Sequence, residues 1–522
     1  MSDPQTPAWL TALQQSPAYP HPVERIELIE THISWVLLTG EYAYKLKKPL
    51  DLGFLDFSTL DKRHYYCREE LRLNRRLAAP IYLDVLAVID SAEGMVIGDP
   101  GEAEGTVIEY ALKMRQFDPE QGFDKLLQQQ QLTEQHLDQL ARLIGEFHQQ
   151  LPAAPAHSDY GSLEAIRHPC EENFRQIRQQ APQLADDPRL VELESWSEQQ
   201  LTQREARFRQ RHRDGFIREC HGDLHLRNIA LWRNRVIAFD CIEFDPALRW
   251  IDTLNEIAFL IMDLDAHQAG GLGWYFLNRY LEQTGDYAGL DLLPFYRVYR
   301  AMVRAKVAAI ELAQHAEATH QEELAHYLDQ AMTTIRADSP ALLITMGFSG
   351  SGKSTVTDQL LQSLGAVRLR SDVERERLFG RAPDEQGIGT GKYSTAASDR
   401  LYAHLREQSR HLLAAGYTVI VDAAFLQRAR RAPFLALADE CGVPLHILAL
   451  EAEPAVLRQR IRQRQAAGGD ASEADLAVLE SQLQHHDPLD PAENHYVLRI
   501  DTRQPLDPVG LAATIRAAAN SQ

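Results

Sequence analysis

The stretch Gly347–Ser354 reads G-F-S-G-S-G-K-S and fits the pattern G-x-x-x-x-G-K-[ST]. It follows a short apolar run, Ala341–Met346, and it opens a stretch with helical character, Thr355–Leu364. A strand, such a loop and a helix, in that order, form a phosphate-binding loop whose backbone N–H groups and helix N-terminus face an anion. The order therefore predicts a parallel α/β domain built around this loop.

The residue types within the loop have distinct roles toward a nucleotide. Glycines let the backbone N–H groups turn inward around the β- and γ-phosphates, Lys353 adds a positive charge, and the Ser354 hydroxyl can ligand Mg²⁺. The residues predicted to contact the nucleotide are Gly347, Ser349, Gly350, Ser351, Gly352, Lys353, Ser354 and Thr355. We therefore expect ATP and Mg²⁺ as cofactors.

Acidic residues follow the next two strand-like runs of this region. Asp372 comes shortly after Val367–Arg370, and Asp422 comes directly after Thr418–Val421. The carboxyl ends of parallel strands border the crevice in which ligands bind. Asp372 is therefore predicted to accept the proton of an attacking hydroxyl, and Asp422 to hold Mg²⁺ or its water shell.

Arginines crowd a later helix-like stretch, at Arg458, Arg460, Arg462 and Arg464. Arg460 and Arg464 share a helix face, where they could close over a transferring phosphate, although a solvated basic face is the alternative. With these features, residues 341 to about 500 resemble the P-loop kinases of small molecules, polynucleotide 5′-ends and zeta-toxin-like substrates. The resemblance implies that Asp372 and Arg375 bind and activate the acceptor hydroxyl.

A second motif lies upstream, where His221–Asn228 reads H-G-D-L-H-L-R-N and Asp240 follows twelve residues after Asn228. A loop of the form H-x-D-x-x-x-x-N with a later Asp on the next hairpin is the catalytic constellation of protein kinases. In that chemistry Asp223 accepts the proton of the substrate hydroxyl, while Asn228 and Asp240 hold Mg²⁺.

The sequence also supplies a lysine and a glutamate for this second site. Tyr42–Lys47 reads as a strand, with Lys45 and Lys47 on the same face. Lys45 is the preferred partner of the nucleotide phosphates, and Lys47 is the alternative. The helix partner is predicted to be Glu70, with Glu69 as the alternative. No G-x-G-x-x-G precedes Lys45.

Residues from about 24 to 335 resemble the aminoglycoside phosphotransferase-like branch of the protein-kinase-like fold. The motif at 221–228 and the later Asp240 carry most of this resemblance, and the branch often lacks the glycine signature. It implies an α+β, bilobal N-terminal domain followed by an α/β P-loop kinase domain with a parallel sheet. The whole chain resembles bacterial two-domain proteins of this arrangement.

The polar junction Arg336–Pro340 separates a long helical stretch from the first strand of the P-loop region, so we predict domains at residues 1–338 and 339–522. Of the net charge of −20, −18 falls on residues 1–338. This acidity disfavours a nucleic-acid partner for the N-terminal domain. The nearly neutral C-terminal domain leaves such a partner open.

Composition excludes several classes of protein. Hydrophobic residues make up 44% and charged residues 25%, as in ordinary globular domains. No apolar run approaches the roughly 20 residues that cross a bilayer, and the N-terminus lacks the pattern of a signal peptide. The five cysteines are scattered without a C-x-x-C. We therefore expect a cytoplasmic protein with no membrane partner and no structural zinc.

Together these features predict an ATP- and Mg²⁺-dependent phosphotransferase with two nucleotide sites. Its acceptor is expected to be a hydroxyl of a small molecule that the sequence does not identify. Two alternatives are a nucleotide-sensing regulatory protein with a pseudokinase N-terminal domain, and a nucleic-acid 5′-end kinase that acts through the C-terminal domain. The complete sets of catalytic residues in both motifs favour an enzyme over a sensor.

Overall fold

A computed structural model describes residues 7–53, 55–101, 104–155, 157–315, 317–336, 339–380, 394–467 and 475–519. The chain forms two compact units, which consist of Met1–Pro169 with Leu201–Asp263 and of Cys170–Gln200 with Leu264–Gln522. The predicted boundary at residue 338 falls outside the described residues and stays a prediction.

The first unit contains a six-stranded antiparallel sheet with the order β1-β2-β3-β6-β4-β5. Its strands are β1 (Glu27–Glu30), β2 (Ser34–Leu38), β3 (Tyr42–Lys47), β4 (Tyr82–Ser91), β5 (Gly94–Gly98) and β6 (Gly105–Arg115). Because side chains alternate along β3, Tyr44 and Leu46 enter an apolar core while Lys45 and Lys47 take the other face. The predicted strand Tyr42–Lys47 is confirmed as β3, and β5 was not predicted.

The rest of the chain up to residue 266 is mainly helical, and its residues 170–200 belong to the second unit. Its helices are α1 (Ala8–Ala12), α2 (Leu60–Ala78), α3 (Phe123–Gln128), α4 (Glu134–Gln150), α5 (Leu163–Gln180), α6 (Pro188–Gln203), α7 (Glu205–Arg213) and α8 (Thr253–Ala266). Strand β7 (Ile217–Glu219) pairs with β10 (Trp250–Asp252), and β8 (Ile229–Trp232) forms a hairpin with β9 (Arg235–Ala238). A strand-rich lobe followed by helices is the predicted bilobal kinase-like fold.

The second unit contains a five-stranded parallel sheet with the order β12-β13-β11-β14-β15. Its strands are β11 (Leu342–Met346), β12 (Val367–Arg370), β13 (Val419–Asp422), β14 (Leu445–Glu451) and β15 (Val497–Asp501). After β11 the chain adds strands first on one side of it, β12 and β13, and then on the other side, β14 and β15. Such a change of direction leaves a crevice at the carboxyl end of the central strand. The predicted parallel sheet is confirmed, and β15 was not predicted.

Besides residues 170–200, this unit contains the helices from residue 270 onward. They are α9 (Gly270–Thr284), α10 (Leu293–His315), α11 (Ala318–Ile335), α12 (Lys353–Leu364), α13 (Ser371–Phe379), α14 (Thr395–Ala414), α15 (Arg428–Cys441), α16 (Pro454–Ala467), α17 (Leu476–Gln484) and α18 (Pro508–Ala519). In the part of the chain that the structure describes, no helix is both long enough and apolar enough to cross a membrane.

Candidate active sites

The phosphate-binding loop lies between β11 and α12, at the crevice of the parallel sheet. Gly350 has a φ of +80°, and a Cβ there would lie 2.9 Å from the Leu457 carbonyl oxygen, so the turn requires glycine. A Cβ at Gly347 would lie 2.5 Å from Ser351 Oγ. That hydroxyl is buried and has no hydrogen-bond partner among the described residues. The loop is therefore a narrow polar cradle that fits a polyphosphate.

The first residues of α12 bring together the groups predicted for the nucleotide and its metal. Lys353 Nζ donates hydrogen bonds to the carbonyl oxygens of Gly347 at 3.1 Å and Phe348 at 3.0 Å. Ser354 Oγ donates to Asp422 Oδ2 at 2.9 Å. A hydroxyl and a carboxylate are hard oxygen ligands of the kind that Mg²⁺ prefers. The residues present therefore fit Mg²⁺ together with a nucleotide.

Asp372 is the second residue of α13 and shares the crevice with these groups. Burial and the nearby Asp422 raise the pKa of Asp372, while Arg370, Lys353 and Arg375 oppose that shift. A carboxylate with a raised pKa is a better proton acceptor than an ordinary aspartate. The structure thus places the predicted acceptor-side Asp372 beside the predicted metal-side Asp422.

Two aromatic residues near Asp372 were not predicted. The rings of Tyr402 on α14 and Phe425 after β13 meet edge to face, with centroids 5.2 Å apart. Burial raises the pKa of Tyr402, and charges at Arg375 and Asp372 also act on it. Phe425 has a φ of +47°, an uncommon conformation for a bulky residue that often marks a functional site. Tyr402 has no signal in the local sequence, whereas Phe425 lies three residues after the predicted metal-side Asp422.

The two predicted lid arginines on α16 take different positions. Arg460 donates to Thr502, at 2.9 Å to its Oγ1 and 2.8 Å to its carbonyl oxygen, and lies 3.4 Å from the Gly350 carbonyl oxygen. Arg464 lies close enough to Lys353 to contribute to lowering the pKa of that lysine, for which burial is the main cause. Arg460 therefore contacts the loop at Gly350, and Arg464 is the predicted lid arginine near Lys353.

The loop of the first unit, residues 221–228, has the predicted internal geometry. Asn228 Nδ2 turns back and donates to Asp223 Oδ2 at 2.9 Å. His221 Nε2 donates to the Phe239 carbonyl oxygen at 2.8 Å, and the Asp223 N–H donates to His221 Nδ1 at 3.3 Å. Burial lowers the pKa of His221, so its ring is neutral and serves as a structural support for Asp223.

Two acidic residues of α8 hold this loop, and neither was predicted. Glu256 accepts the backbone N–H groups of His221 at 2.6 Å and Gly222 at 2.9 Å. Asp263 accepts the N–H of Leu226 at 2.9 Å. The available signal was the position of these carboxylates, seven residues apart in a mostly apolar helix. Buried backbone donors require such partners.

Lys45 connects the predicted glutamate to the predicted metal-side aspartate. Its Nζ lies 2.8 Å from Glu70 Oε1 and 2.6 Å from Asp240 Oδ1. The Asp240 side chain is 48% exposed, and its backbone has a φ of +61°. Lys45, Glu70 and Asp240 are thus brought together as predicted. The alternative helix partner, Glu69, pairs with Arg72 and Arg249 instead.

Lys47 binds the other oxygen of the same glutamate. Its Nζ lies 2.7 Å from Glu70 Oε2 and also pairs with Glu243, which was not predicted. Burial alone would raise the pKa of Glu70, but Lys45 and Lys47 lower it to about 2. The Lys47 side chain is only 1% exposed. Lys47 therefore holds Glu70 from the buried side, while Lys45 contacts the half-exposed Asp240.

Two family models match the chain. The Phosphotransferase enzyme family matches residues 59–293, and an AAA domain matches residues 342–489. Among solved structures, choline kinase from Cryptosporidium parvum is 13% identical, with a TM-score of 0.38, and the match covers 60% of this chain and 90% of that chain. A gluconokinase from Sinorhizobium meliloti is 23% identical, with a TM-score of 0.25 and coverage of 35% and 97%. Likeness at this level carries no conclusion about substrate.

Curated relatives cover nearly the full length. Uncharacterized proteins of Mycobacterium tuberculosis and Mycobacterium bovis are 30% identical over 465 residues, which is 88% of this chain and 91% of theirs. The two family matches follow one another in the order that the two motifs predicted. The chain therefore belongs to the family of these mycobacterial proteins, and it is a kinase-type phosphotransferase that joins a phosphotransferase-family domain to a P-loop kinase domain.

Proposed function

We propose that this chain is an ATP- and Mg²⁺-dependent phosphotransferase with two nucleotide sites, each of which transfers a γ-phosphate to a hydroxyl of a small molecule. The observation that carries this proposal is the contact of Lys45 with both Glu70, at 2.8 Å, and Asp240, at 2.6 Å. A kinase-fold site works only when its lysine–glutamate pair and its metal-side aspartate are both in place. The arrangement favours an active first site over a pseudokinase.

In the first site, Lys45 would pair with the nucleotide phosphates, and Asn228 and Asp240 would hold Mg²⁺. The metal, when bound, would neutralise charge on the polyphosphate. Asp223 would orient the acceptor hydroxyl and accept its proton. The hydrogen bond from Asn228 at 2.9 Å fixes the direction of the Asp223 carboxylate for this role.

In the second site, the loop at 347–354 would bind the phosphates, with Ser354 and Asp422 on the metal side. Asp372 would accept the acceptor's proton, and Arg375 would help to bind the acceptor. Arg464, near Lys353, would add positive charge over the transferring phosphate. The raised pKa of Asp372 supports its assignment as the proton acceptor.

The test compares aspartate variants of the two sites in the full chain. Asp223→Asn and Asp372→Asn preserve side-chain shape, so nucleotide affinity should change little while transfer at the affected site falls by about 10²–10⁴-fold. Asp240→Asn and Asp422→Asn should lower both affinity and transfer, because the metal loses a ligand. ATP consumption with pooled metabolites, nucleosides and oligonucleotides measures transfer. Asp90→Asn, at an exposed position of β4, is the control.

Two outcomes would contradict parts of the proposal. If Asp223→Asn and Asp240→Asn change nothing while the variants of the second site abolish all transfer, the first site is regulatory. If only oligonucleotides consume ATP, the nucleic-acid end kinase is the correct alternative.

The predicted boundary near residue 338 and a cytoplasmic place of action are part of this proposal. All five cysteines are free thiols, which supports a reducing compartment.

A further inference from the structure

Helix α9 (Gly270–Thr284) packs against the P-loop kinase elements, although its sequence lies within the stretch that matches the phosphotransferase family. Asn278 Nδ2 donates to the Ala366 carbonyl oxygen at 2.9 Å. Asn278 Oδ1 accepts the backbone N–H of Arg368 at 2.6 Å. These bonds fix α9 against the beginning of β12, the strand that follows the helix α12, which begins at the phosphate-binding loop.

Arg368 extends this contact toward the loop. Its side chain is fully buried, and Nη2 lies 2.7 Å from Glu282 Oε1 on α9. Nη1 lies 2.9 Å from Asp358 Oδ1, 3.0 Å from Thr357 Oγ1 and 3.3 Å from the Ser354 carbonyl oxygen. One guanidinium therefore connects a carboxylate of α9 to the first turn of α12.

That first turn carries the metal-side hydroxyl. Ser354 Oγ donates to Asp422 Oδ2 at 2.9 Å, and Thr357 Oγ1 lies 3.1 Å from the Ser354 carbonyl oxygen. Thr357 Oγ1 also lies 3.5 Å from Asp422 Oδ2. The Arg368 guanidinium thus contacts the Ser354 carbonyl oxygen and the Thr357 hydroxyl, next to the Ser354 hydroxyl that faces Asp422.

Charge keeps Glu282 in this network. Burial alone would raise the pKa of Glu282, but Arg368, Arg370 and Arg279 lower it to about 2, so the carboxylate is ionised at neutral pH. Arg279 pairs with Glu282 at 2.9 Å and with Asp358 at 3.0 Å. Removing Glu282 would leave a buried guanidinium poorly compensated, and Arg368 would have to move or relax its contacts.

We propose that Glu282 is a positioning residue for the P-loop site. Its carboxylate holds Arg368, and Arg368 holds the Ser354 carbonyl and Thr357 so that the Ser354 hydroxyl stays against Asp422. The inference rests on the proposed function of that site as a Mg²⁺–nucleotide site. It assigns to a residue of the phosphotransferase-family stretch a part in the metal affinity of the other domain.

The test uses the full chain and a readout local to the P-loop. Hydrogen exchange of the amides at 353–357 is followed while Mg²⁺ is titrated in the presence of a non-hydrolysable ATP analogue. Glu282→Gln should raise the Mg²⁺ concentration for half-maximal protection by about tenfold, as is typical when a group that orients metal ligands is lost. Glu282→Asp, which keeps the charge, should recover part of that affinity.

Tyr417→Phe is the matched control. The Tyr417 hydroxyl donates to the Leu290 carbonyl oxygen at 2.8 Å. The substitution therefore removes one hydrogen bond between the P-loop domain and the phosphotransferase-family stretch. This variant should lower thermal stability but leave the Mg²⁺ midpoint unchanged. If Glu282→Gln fails to fold, Arg368→Lys, which keeps the charge and loses the planar fork, replaces it and should show the same shift.

The possible outcomes separate the inference from the proposed function. The positioning role alone would be overturned if Glu282→Gln had the same Mg²⁺ midpoint as the wild type, or if Tyr417→Phe shifted the midpoint equally. A wild-type chain whose 353–357 amides gain no protection from Mg²⁺ and the analogue would overturn both.

Discussion

Glu70 receives one lysine on each carboxylate oxygen, and the two lysines differ in their second partners. Lys45 Nζ also lies 2.6 Å from the half-exposed Asp240, whereas Lys47 also pairs with the buried Glu243. A charge that faces solvent on one side can take part in binding, whereas a fully buried charge mainly maintains its neighbours. The same residue type thus has two roles on one strand face.

This difference predicts separable effects for the two lysines. Lys47→Met should lower the free energy of unfolding by about 3–5 kcal/mol, because Glu70 and Glu243 lose a buried partner. Lys45→Met should destabilise the fold less, yet it should remove the nucleotide-induced amide protection of residues 42–47. Chemical denaturation and hydrogen exchange measure the two effects. Equal losses of stability in both variants would show that Lys45 is as structural as Lys47.

The role proposed for Asp372 as the proton acceptor of the second site predicts a pH dependence of phosphate transfer. Asp372 accepts a proton only when it is ionised, and its pKa is raised above the ordinary 3.8 by burial and by Asp422. Transfer at this site should therefore fall as pH decreases, with a midpoint above the pH at which an exposed aspartate titrates. The pH–rate profile is measured in an Asp223→Asn background, so that only the second site reacts. A rate that stays constant down to pH 4 would exclude Asp372 as the base.

At the scale of elements, α8 is a mostly apolar helix whose Glu256 and Asp263 accept hydrogen bonds from the loop at 221–228. Glu256 is completely buried and accepts two consecutive backbone N–H groups. An ionised carboxylate can accept both, whereas an amide presents one donor in place of an acceptor. The geometry of the loop at 221–228 therefore depends on the ionised carboxylate of Glu256, in a helix that follows the loop in sequence.

Glu256→Gln should loosen this loop. One backbone N–H would lose its acceptor, at a cost of about 1–3 kcal/mol, and amide exchange at 221–224 should accelerate. Transfer at the first site should fall, since Asp223 lies in the loosened segment. Asp90→Asn, at an exposed position of β4, serves again as the control. Unchanged exchange in Glu256→Gln would mean that the loop is held by its other contacts.

At the scale of the whole molecule, a boundary along the sequence differs from a boundary in space. The predicted boundary lies near residue 338, yet residues 264–336 belong to the compact unit that contains the P-loop sheet. Arg368 pairs with Glu282 of α9, and Arg377 donates to the carbonyl oxygens of Leu281 and Glu282. Buried ion pairs and backbone bonds of this kind persist when a single peptide bond is cut.

We therefore predict that protease cleavage within residues 336–340 leaves two fragments that stay associated. The junction is polar and should be accessible to cleavage. After cleavage the fragments should elute together in size-exclusion chromatography, and Glu282→Gln should promote their separation. Fragments that separate at once and remain folded would show that the contacts of α9 contribute little.

The sequence by itself determined both motifs and the order of the two folds. These features are local, because a glycine loop between a strand and a helix, or an Asn five residues after an Asp, sets its own geometry. The sequence also predicted that Lys45, Glu70 and Asp240 belong to one site, because these residues follow the order of elements in a kinase-like fold. Confirmed strands such as Tyr42–Lys47 follow from the same short-range patterns.

Only the tertiary structure decided which charges support those groups. Glu243, Glu256, Asp263 and Glu282 look like ordinary acidic residues in a chain with 74 of them. Each acquires its role by being buried against a partner distant in sequence, such as Lys47, the backbone at 221–226 or Arg368. A buried charge must find an opposite charge or a backbone group, and folding alone determines which one lies within reach.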